Sequence, residues 1–136
     1  MSTTAPFVHR EPIRFGHLDA MRHLNNVEFL RFFETARIEY LRTIIPEHDP
    51  ASPDDFGLIF AECHINYLAP GHYGELLEIT IRPEEIKRSS FRVAFAMRVG
   101  DRLLAEGWGA LVGYDYAAGT AMPLPAVVRD ALEQAS

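Results

Sequence analysis

Residues Asn25 to Ile45 carry a single helical pattern, and it limits what the chain can become. With Glu28 at zero and about 100° per residue, Glu28, Arg31, Thr35, Glu39 and Arg42 form one narrow polar stripe. Phe29, Leu30, Phe33, Ala36, Tyr40, Leu41 and Ile44 cover the opposite side, and Phe32, Ile38 and Ile45 widen the apolar surface towards the stripe. A helix that is apolar round most of its circumference has to be wrapped by other structure. In a chain of 136 residues, the economical wrapping is a sheet curled around it. Glu34, Arg37 and Asn26 interrupt the apolar arc. Glu34 and Arg37 are three positions apart and are expected to pair, because an unpaired buried charge is strongly penalised. The expected role of the pair is to fix the helix against a loop or a second subunit, with ligand contact as the alternative.

The start of this helix gathers chemistry. Asn25 is the predicted N-cap, with Glu28 at the reciprocal capping position. Immediately before it, Gly16–Leu24 forms a polar loop containing Asp19 and His23. Helix-start N–H groups, the positive end of the helix dipole, a carboxylate and an imidazole therefore share one small region. Asp19 is the leading catalytic candidate: it can activate water, attack as a nucleophile or orient another group, and the structural alternative is a loop cap. His23 is a candidate for substrate contact or proton transfer, with bonding to the loop backbone as its alternative. Backbone N–H groups at Asn26, Val27, Glu28 and Phe29 are candidate donors to a developing oxyanion.

Around this centre the chain reads as one domain, residues 1–136. Met1–Ala5 is an expected disordered tip. Pro6–Phe15 reads as an edge strand, because Pro12 cannot donate to a central ladder. Pro46–Phe56 is a turn-rich connection. Period-two strands follow at Gly57–Leu68, Glu75–Pro83 and Ser90–Val99, and a longer strand at Leu103–Tyr116. In the first, Ile59, Ala61, Cys63, Ile65 and Tyr67 share one face, and Leu58, Phe60, Glu62, His64 and Asn66 the other. The long strand has a small-residue face with Gly107, Gly109 and Gly113, read as the seat of the helix. Pro70-Gly71 and Gly100-Asp101 mark turns, and Pro125–Ala135 reads as a short terminal helix. Three successive hairpins imply a mainly antiparallel sheet. One sheet around one helix leaves a face and edges to protect, so an oligomer is expected.

The remaining signals mostly exclude. A formal charge of -6 argues against a nucleic-acid partner. One cysteine, Cys63, rules out an intrachain disulfide framework; on its apolar strand face it reads as buried filler. The beginning of the chain lacks a secretory pattern and no run is long enough to span a membrane, so the expectation is a cytoplasmic protein with no membrane partner. No phosphate loop, GxGxxG, HExxH or GxSxG occurs. His17, His23 and His64 do not have metal-motif spacing, and no cofactor is called for. Ser89 and Ser90 lack an adjacent base. Glu62 and His64 are candidate pocket residues, with an interface network as the alternative.

Taken together, Asp19, His23-Leu24-Asn25-Asn26, Phe29, Phe33-Glu34 and Ala36-Arg37 resemble the loop and central helix of the hotdog-fold acyl-CoA thioesterases, in the branch of 4-hydroxybenzoyl-CoA thioesterase-like proteins. The resemblance continues at Tyr67, Pro70, Ser89-Ser90, Ala105-Glu106-Gly107 and Pro123–Pro125. It implies an α+β hotdog fold: a curved antiparallel sheet of about five strands around a long central helix, paired as a homodimer or a dimer of dimers with active sites at the subunit interface. It implies Asp19 as the catalytic carboxylate and the helix start as the element that polarises the thioester carbonyl. Phe29 and Phe33, with Glu62 and His64, would line the substrate pocket, and Lys87, Arg88 and Arg92 are candidate contacts for the CoA phosphates. Three positions depart from the family pattern: His17-Leu18-Asp19 replaces Asp-Thr-Asp, Arg22 replaces a glycine, and Phe29 replaces a common tyrosine. The expected activity is hydrolysis of an acyl-CoA thioester, against a non-hydrolytic acyl-thioester binder, a dehydratase-like protein or a structural dimeric module.

Overall fold

A computed structural model describes residues 6–49, 51 and 57–136. The expectations for Met1–Ala5 and for much of the Pro46–Phe56 connection lie outside the described residues. The long helix, α1, spans Asn26–Ile44. It lies on one face of an antiparallel sheet built from β1 (Phe7–Pro12), β2 (Leu58–Tyr67), β3 (Leu76–Glu84), β4 (Ser90–Val99) and β5 (Arg102–Asp115). A two-residue strand, β6 (Thr120–Ala121), pairs with β5, and helix α2 (Ala126–Ala135) closes the chain. This is the hotdog arrangement that the resemblance implied. Among the described residues no helix is long and apolar enough to cross a membrane.

The strand order is β1-β3-β4-β5-β2, which corrects the expectation of three successive hairpins. β3–β4 and β4–β5 are hairpins, but β2 pairs with β5 at the far edge while β3 sits beside β1. Pro70-Gly71 therefore belongs to a crossover. Period-two alternation identifies a strand without naming its partner. Pro12 does lie on an edge strand, where its missing N–H costs no ladder bond.

The helix packs as its wheel requires. Phe29, Phe32, Phe33, Ala36, Tyr40 and Leu41 are buried. Phe33 stacks on Phe95 at a ring separation of 4.2 Å. The small-residue face of β5 receives it: a Cβ at Gly109 would lie 2.9 Å from the Phe33 ring and 2.5 Å from that of Phe60. Val128 and Leu132 of α2 complete the core.

Two details of the packing differ from the sequence pattern. In β2, Phe60 pairs with Leu111 and Glu62 with Ala110, so Ala61 is an extra residue in a bulge. A bulge reverses the alternation beyond it. Directly paired residues share a face, so Leu58 and Phe60 join Cys63, Ile65 and Tyr67 on the helix side. Glu62, His64 and Asn66 point to the outer side. Cys63 is exposed, not buried filler, since β2 is an edge strand. The expected Glu34–Arg37 pair does not form either. Glu34 is exposed, and the Arg37 guanidinium lies 4.3 Å from the Phe60 ring centroid, where a cation–π contact replaces the ion pair. Burial pulls the Arg37 pKa down, and the Glu34 carboxylate opposes that shift.

Candidate active site

The Asp19 loop is closed by its own backbone. Leu18 and Leu24 form an isolated antiparallel bridge, and the Asp19 N–H donates to the His23 carbonyl at 2.8 Å. Asp19 Oδ1 accepts from the N–H groups of Met21 at 2.8 Å and His23 at 3.1 Å. One carboxylate oxygen is thus a loop cap, while Oδ2 has no hydrogen-bond partner among the described residues. The loop-cap reading of Asp19 is met by Oδ1, and Oδ2 is left open.

The helix start is capped more economically than the sequence suggested. The Asn25 side chain accepts from the Val27 N–H at 2.9 Å, and the Asn25 carbonyl accepts from Glu28 and Phe29. Glu28 does not reciprocate, because the Asn25 N–H already donates to the His17 carbonyl at 2.9 Å. Glu28 instead lies 3.9 Å from Arg31. Of the four candidate donors, Val27, Glu28 and Phe29 are therefore occupied. The Asn26 N–H is left without a partner among the described residues. Tyr67 of β2 reaches this point, donating its hydroxyl to the Asn26 carbonyl at 3.1 Å and meeting the Phe29 ring edge-on at 5.2 Å.

The second wall of the site was not legible in the sequence. The Leu24 N–H donates to the Gly71 carbonyl at 2.8 Å, and Ile13 holds the same turn through Glu75 and Gly74. His72 and Tyr73 are thereby brought opposite Asp19. Together with Phe15, Leu18 and Arg22 they line a cavity of about 820 Å³. Glu75 anchors this wall. Its carboxylate oxygens lie 2.6 and 2.7 Å from an Arg102 guanidinium nitrogen. The hydrogen bond from Arg102 leads the effects that lower the Glu75 pKa, against some opposition from burial. Glu75 Oε1 also accepts from the His72 N–H at 2.7 Å and lies 3.2 Å from His72 Nδ1. The His72 ring meets that of His23 edge-on at 5.5 Å. His23 therefore holds Asp19 through its backbone while its imidazole faces His72. Pro70-Gly71 announced a turn; nothing local announced where it would land.

Other candidates fall elsewhere. Phe29 and Phe33 are core residues, 2% and 1% exposed, and neither borders the Asp19 cavity. Glu62 and His64 lie across the sheet from them, with the His64 ring stacked on Trp108. Arg92 shares that outer face, its guanidinium 3.8 Å from the Trp108 ring centroid. Lys87 and Arg88 are exposed in the β3–β4 connection. That connection and the His72 turn lie at opposite ends of β3, roughly 26 Å apart at ~3.3 Å per residue. One chain does not bring these cations to Asp19. What α1 and the edge strand β2 do present is a set of exposed apolar side chains, Val27, Leu30, Phe60 and Tyr67.

Comparison with known proteins gives a consistent result. The model of the thioesterase-like superfamily matches residues 13–132. The long-chain acyl-CoA thioesterase FadM of Escherichia coli (strain K12) is 25% identical over 124 residues, covering 90% of this chain and 93% of its own. The structure of a thioesterase from Thermus thermophilus, complexed with coenzyme A and Zn, is 30% identical with a TM-score of 0.79, covering 93% of this chain and 90% of the other. A thioesterase superfamily structure from Jannaschia sp. CCS1 is 29% identical with a TM-score of 0.80, covering 93% and 80%.

Proposed function

The chain belongs to the thioesterase-like superfamily, and on that footing we propose that it hydrolyses an acyl-CoA thioester to a carboxylic acid and free CoA. The observation that carries the proposal is the uncommitted carboxylate oxygen, Asp19 Oδ2, in the loop that leads into a helix start whose first donor, the Asn26 N–H, is uncommitted too among the described residues. The first takes a proton from water or attacks the carbonyl carbon itself. The second stabilises the oxyanion that forms as the nucleophile adds to the carbonyl carbon; its collapse breaks the C–S bond and releases the CoA thiolate, which takes up a proton. His23 and the Asn25 cap position these groups. The likeness to an acyl-CoA thioesterase and to a CoA-bound thioesterase supports CoA as the thiol carrier.

In this proposal the active unit contains two copies. Among the described residues β2 is a free edge, and the apolar side chains exposed beside it need cover. A second chain laid along β2 covers Val27, Leu30 and Phe60, encloses an acyl chain against Tyr67, and supplies the Lys87 and Arg88 that a single chain holds too far away.

Free-thiol release across short, long and aromatic acyl-CoAs tests the reading. Asp19→Asn is a clean control because its Oδ1 still accepts from Met21 and His23. Turnover should fall by about 10²–10⁴-fold with the fold unchanged. Activity within about tenfold of the parent removes Asp19 from the chemistry. No thiol release from any member, with binding retained, favours the non-hydrolytic acyl-thioester binder.

A further inference from the structure

The cavity beside Asp19 carries one further charge that the hydrolytic step does not use. Among the described residues that line it, Asp19 supplies the one carboxylate and Arg22 the one guanidinium. The Arg22 guanidinium makes no ion pair or hydrogen bond among the described residues, with Asp19 or with any other group. Glu75, which anchors the opposite wall, is already held by Arg102. The His72 imidazole on that wall is drawn to Glu75, with Nδ1 at 3.2 Å. A full positive charge therefore stands on the cavity wall without a counter-charge.

The backbone under that charge is strained. The Arg22 N–H donates to the Asp19 carbonyl at 3.0 Å and closes a turn, and the residue takes a φ of 64°. Glycine, asparagine or aspartate adopts that conformation more readily than a residue with a long side chain. The bond that closes the turn needs only a backbone N–H, so the turn itself does not call for arginine. Strained positions of this kind cluster where a ligand is held. A planar guanidinium matches a carboxylate in a bidentate pair, which is the strongest use of its five donors.

Resting on the hydrolase reading, we infer that Arg22 selects an acyl group with a carboxylate of its own, a short dicarboxylic acid joined to CoA at one end. The guanidinium pairs with the free carboxylate. Such a substrate brings two kinds of anion, and size decides between them. A sphere of the cavity's volume, about 820 Å³, is about 12 Å across. With the thioester at Asp19, the nearest CoA phosphorus is about thirteen bonds beyond the sulfur, roughly 16 Å at ~1.2 Å per bond in an extended chain. That length carries the phosphates out of the cavity. The free carboxyl carbon of an adipoyl group is about five bonds from the thioester carbonyl, roughly 6 Å, and stays inside. Asp19 and Arg22 close one turn, so their Cα atoms are under about 7 Å apart, a matching span. Phe15 and Tyr73 meet edge-on at 6.2 Å on the same wall and give the methylenes an apolar surface.

Free-thiol release from adipoyl-CoA and hexanoyl-CoA, equal in carbon number and different in terminal charge, tests this. The parent should favour adipoyl-CoA in kcat/KM. Arg22→Ala keeps the Cβ and the left-handed strain. It should lower the adipoyl-to-hexanoyl ratio by about 10–100-fold, the effect of one charged hydrogen bond, chiefly through KM. Arg22→Lys restores the charge without the bidentate fork and should recover part of the ratio. The N-acetylcysteamine thioesters of the same two acids carry no phosphate and should show the same Arg22 effect. An effect confined to the CoA thioesters would assign the guanidinium to a phosphate and overturn the inference. A parent that does not favour adipoyl-CoA, or a ratio unchanged in Arg22→Ala, would overturn it too. Calorimetric binding of both CoA thioesters to Asp19→Asn separates this result from the hydrolase reading. If no thioester is cleaved, that reading falls and the Kd ratio decides the anion site. Tighter binding of adipoyl-CoA, abolished by adding Arg22→Ala, supports the site; equal binding of the two overturns it.

Discussion

Arg22 occupies a left-handed backbone position, with φ of 64°, in the loop that holds Asp19. For a residue with a Cβ that conformation costs roughly 1–2 kcal/mol. The side chain offsets little of this: it is exposed and makes no ion pair or hydrogen bond among the described residues. The backbone bond it does make, N–H to the Asp19 carbonyl at 3.0 Å, is open to any residue except proline. Arg22→Gly therefore removes the strain and adds unfolded-state entropy worth about 0.4–1 kcal/mol. The middle of each range leaves a net gain of about 0.8 kcal/mol. Arg22→Ala keeps the strain and should be close to neutral, which separates backbone conformation from loss of the side chain. Equilibrium urea unfolding reads the result. At an m of about 2 kcal/mol/M the glycine variant should gain roughly 0.25–0.5 M in midpoint with m unchanged. A glycine variant no more stable than the alanine variant would refute the strain argument.

Gly107→Ala should destabilise the protein by about 1–3 kcal/mol, seen as a lower urea midpoint. Its Cβ would run into the His64 carbonyl oxygen, with the His64 carbonyl carbon at 2.9 Å and Ile65 Cα at 3.0 Å, and backbone cannot swing aside; an unchanged midpoint would count against that close approach. Glu75→Gln should flatten the acid limb of the stability–pH curve. The folded pKa of Glu75 is lowered, so its contribution is complete above the ordinary glutamate value of 4.5 and is lost as pH falls through the lower folded value. A parent and variant with parallel curves below pH 4.5 would show that the Arg102 contact does not couple to folding.

The parts of this fold that were legible in the sequence are those specified by near neighbours. The apolar arc from Phe29 to Ile44 marked the central helix because helical period is a local property. Asn25 marked its start, and Gly109 marked where the helix would seat. Ala61 was not legible: a bulge is one residue too many, and it shows only against a partner strand. The place of β2 at the far edge was hidden for the same reason, since alternation at Leu58–Tyr67 fits any antiparallel neighbour. Arg37 was misread because the wheel placed it near Glu34, whereas the Phe60 ring that claims it comes from another element. In the site, Asp19 stood out as a carboxylate before a helix. His72 did not, because its relation to Asp19 runs through Leu24 and Gly71, 47 positions apart in sequence.

Among the described residues the two ends of α1 leave different polar groups unmet, and their exposure decides what each costs. Asn26 is exposed, so water can serve its N–H, and leaving that donor open costs little stability. The Tyr40 hydroxyl is buried without a partner among the described residues, so its penalty is continuous, about 1–3 kcal/mol. The helix tolerates it because burying each of Phe29, Phe32 and Phe33 returns about 1.5–3 kcal/mol. Phenylalanine at position 40 would keep the ring packed against Phe7 without the penalty. Tyr40→Phe should therefore raise the Tm, and the size of the rise measures how much stability the hydroxyl forfeits.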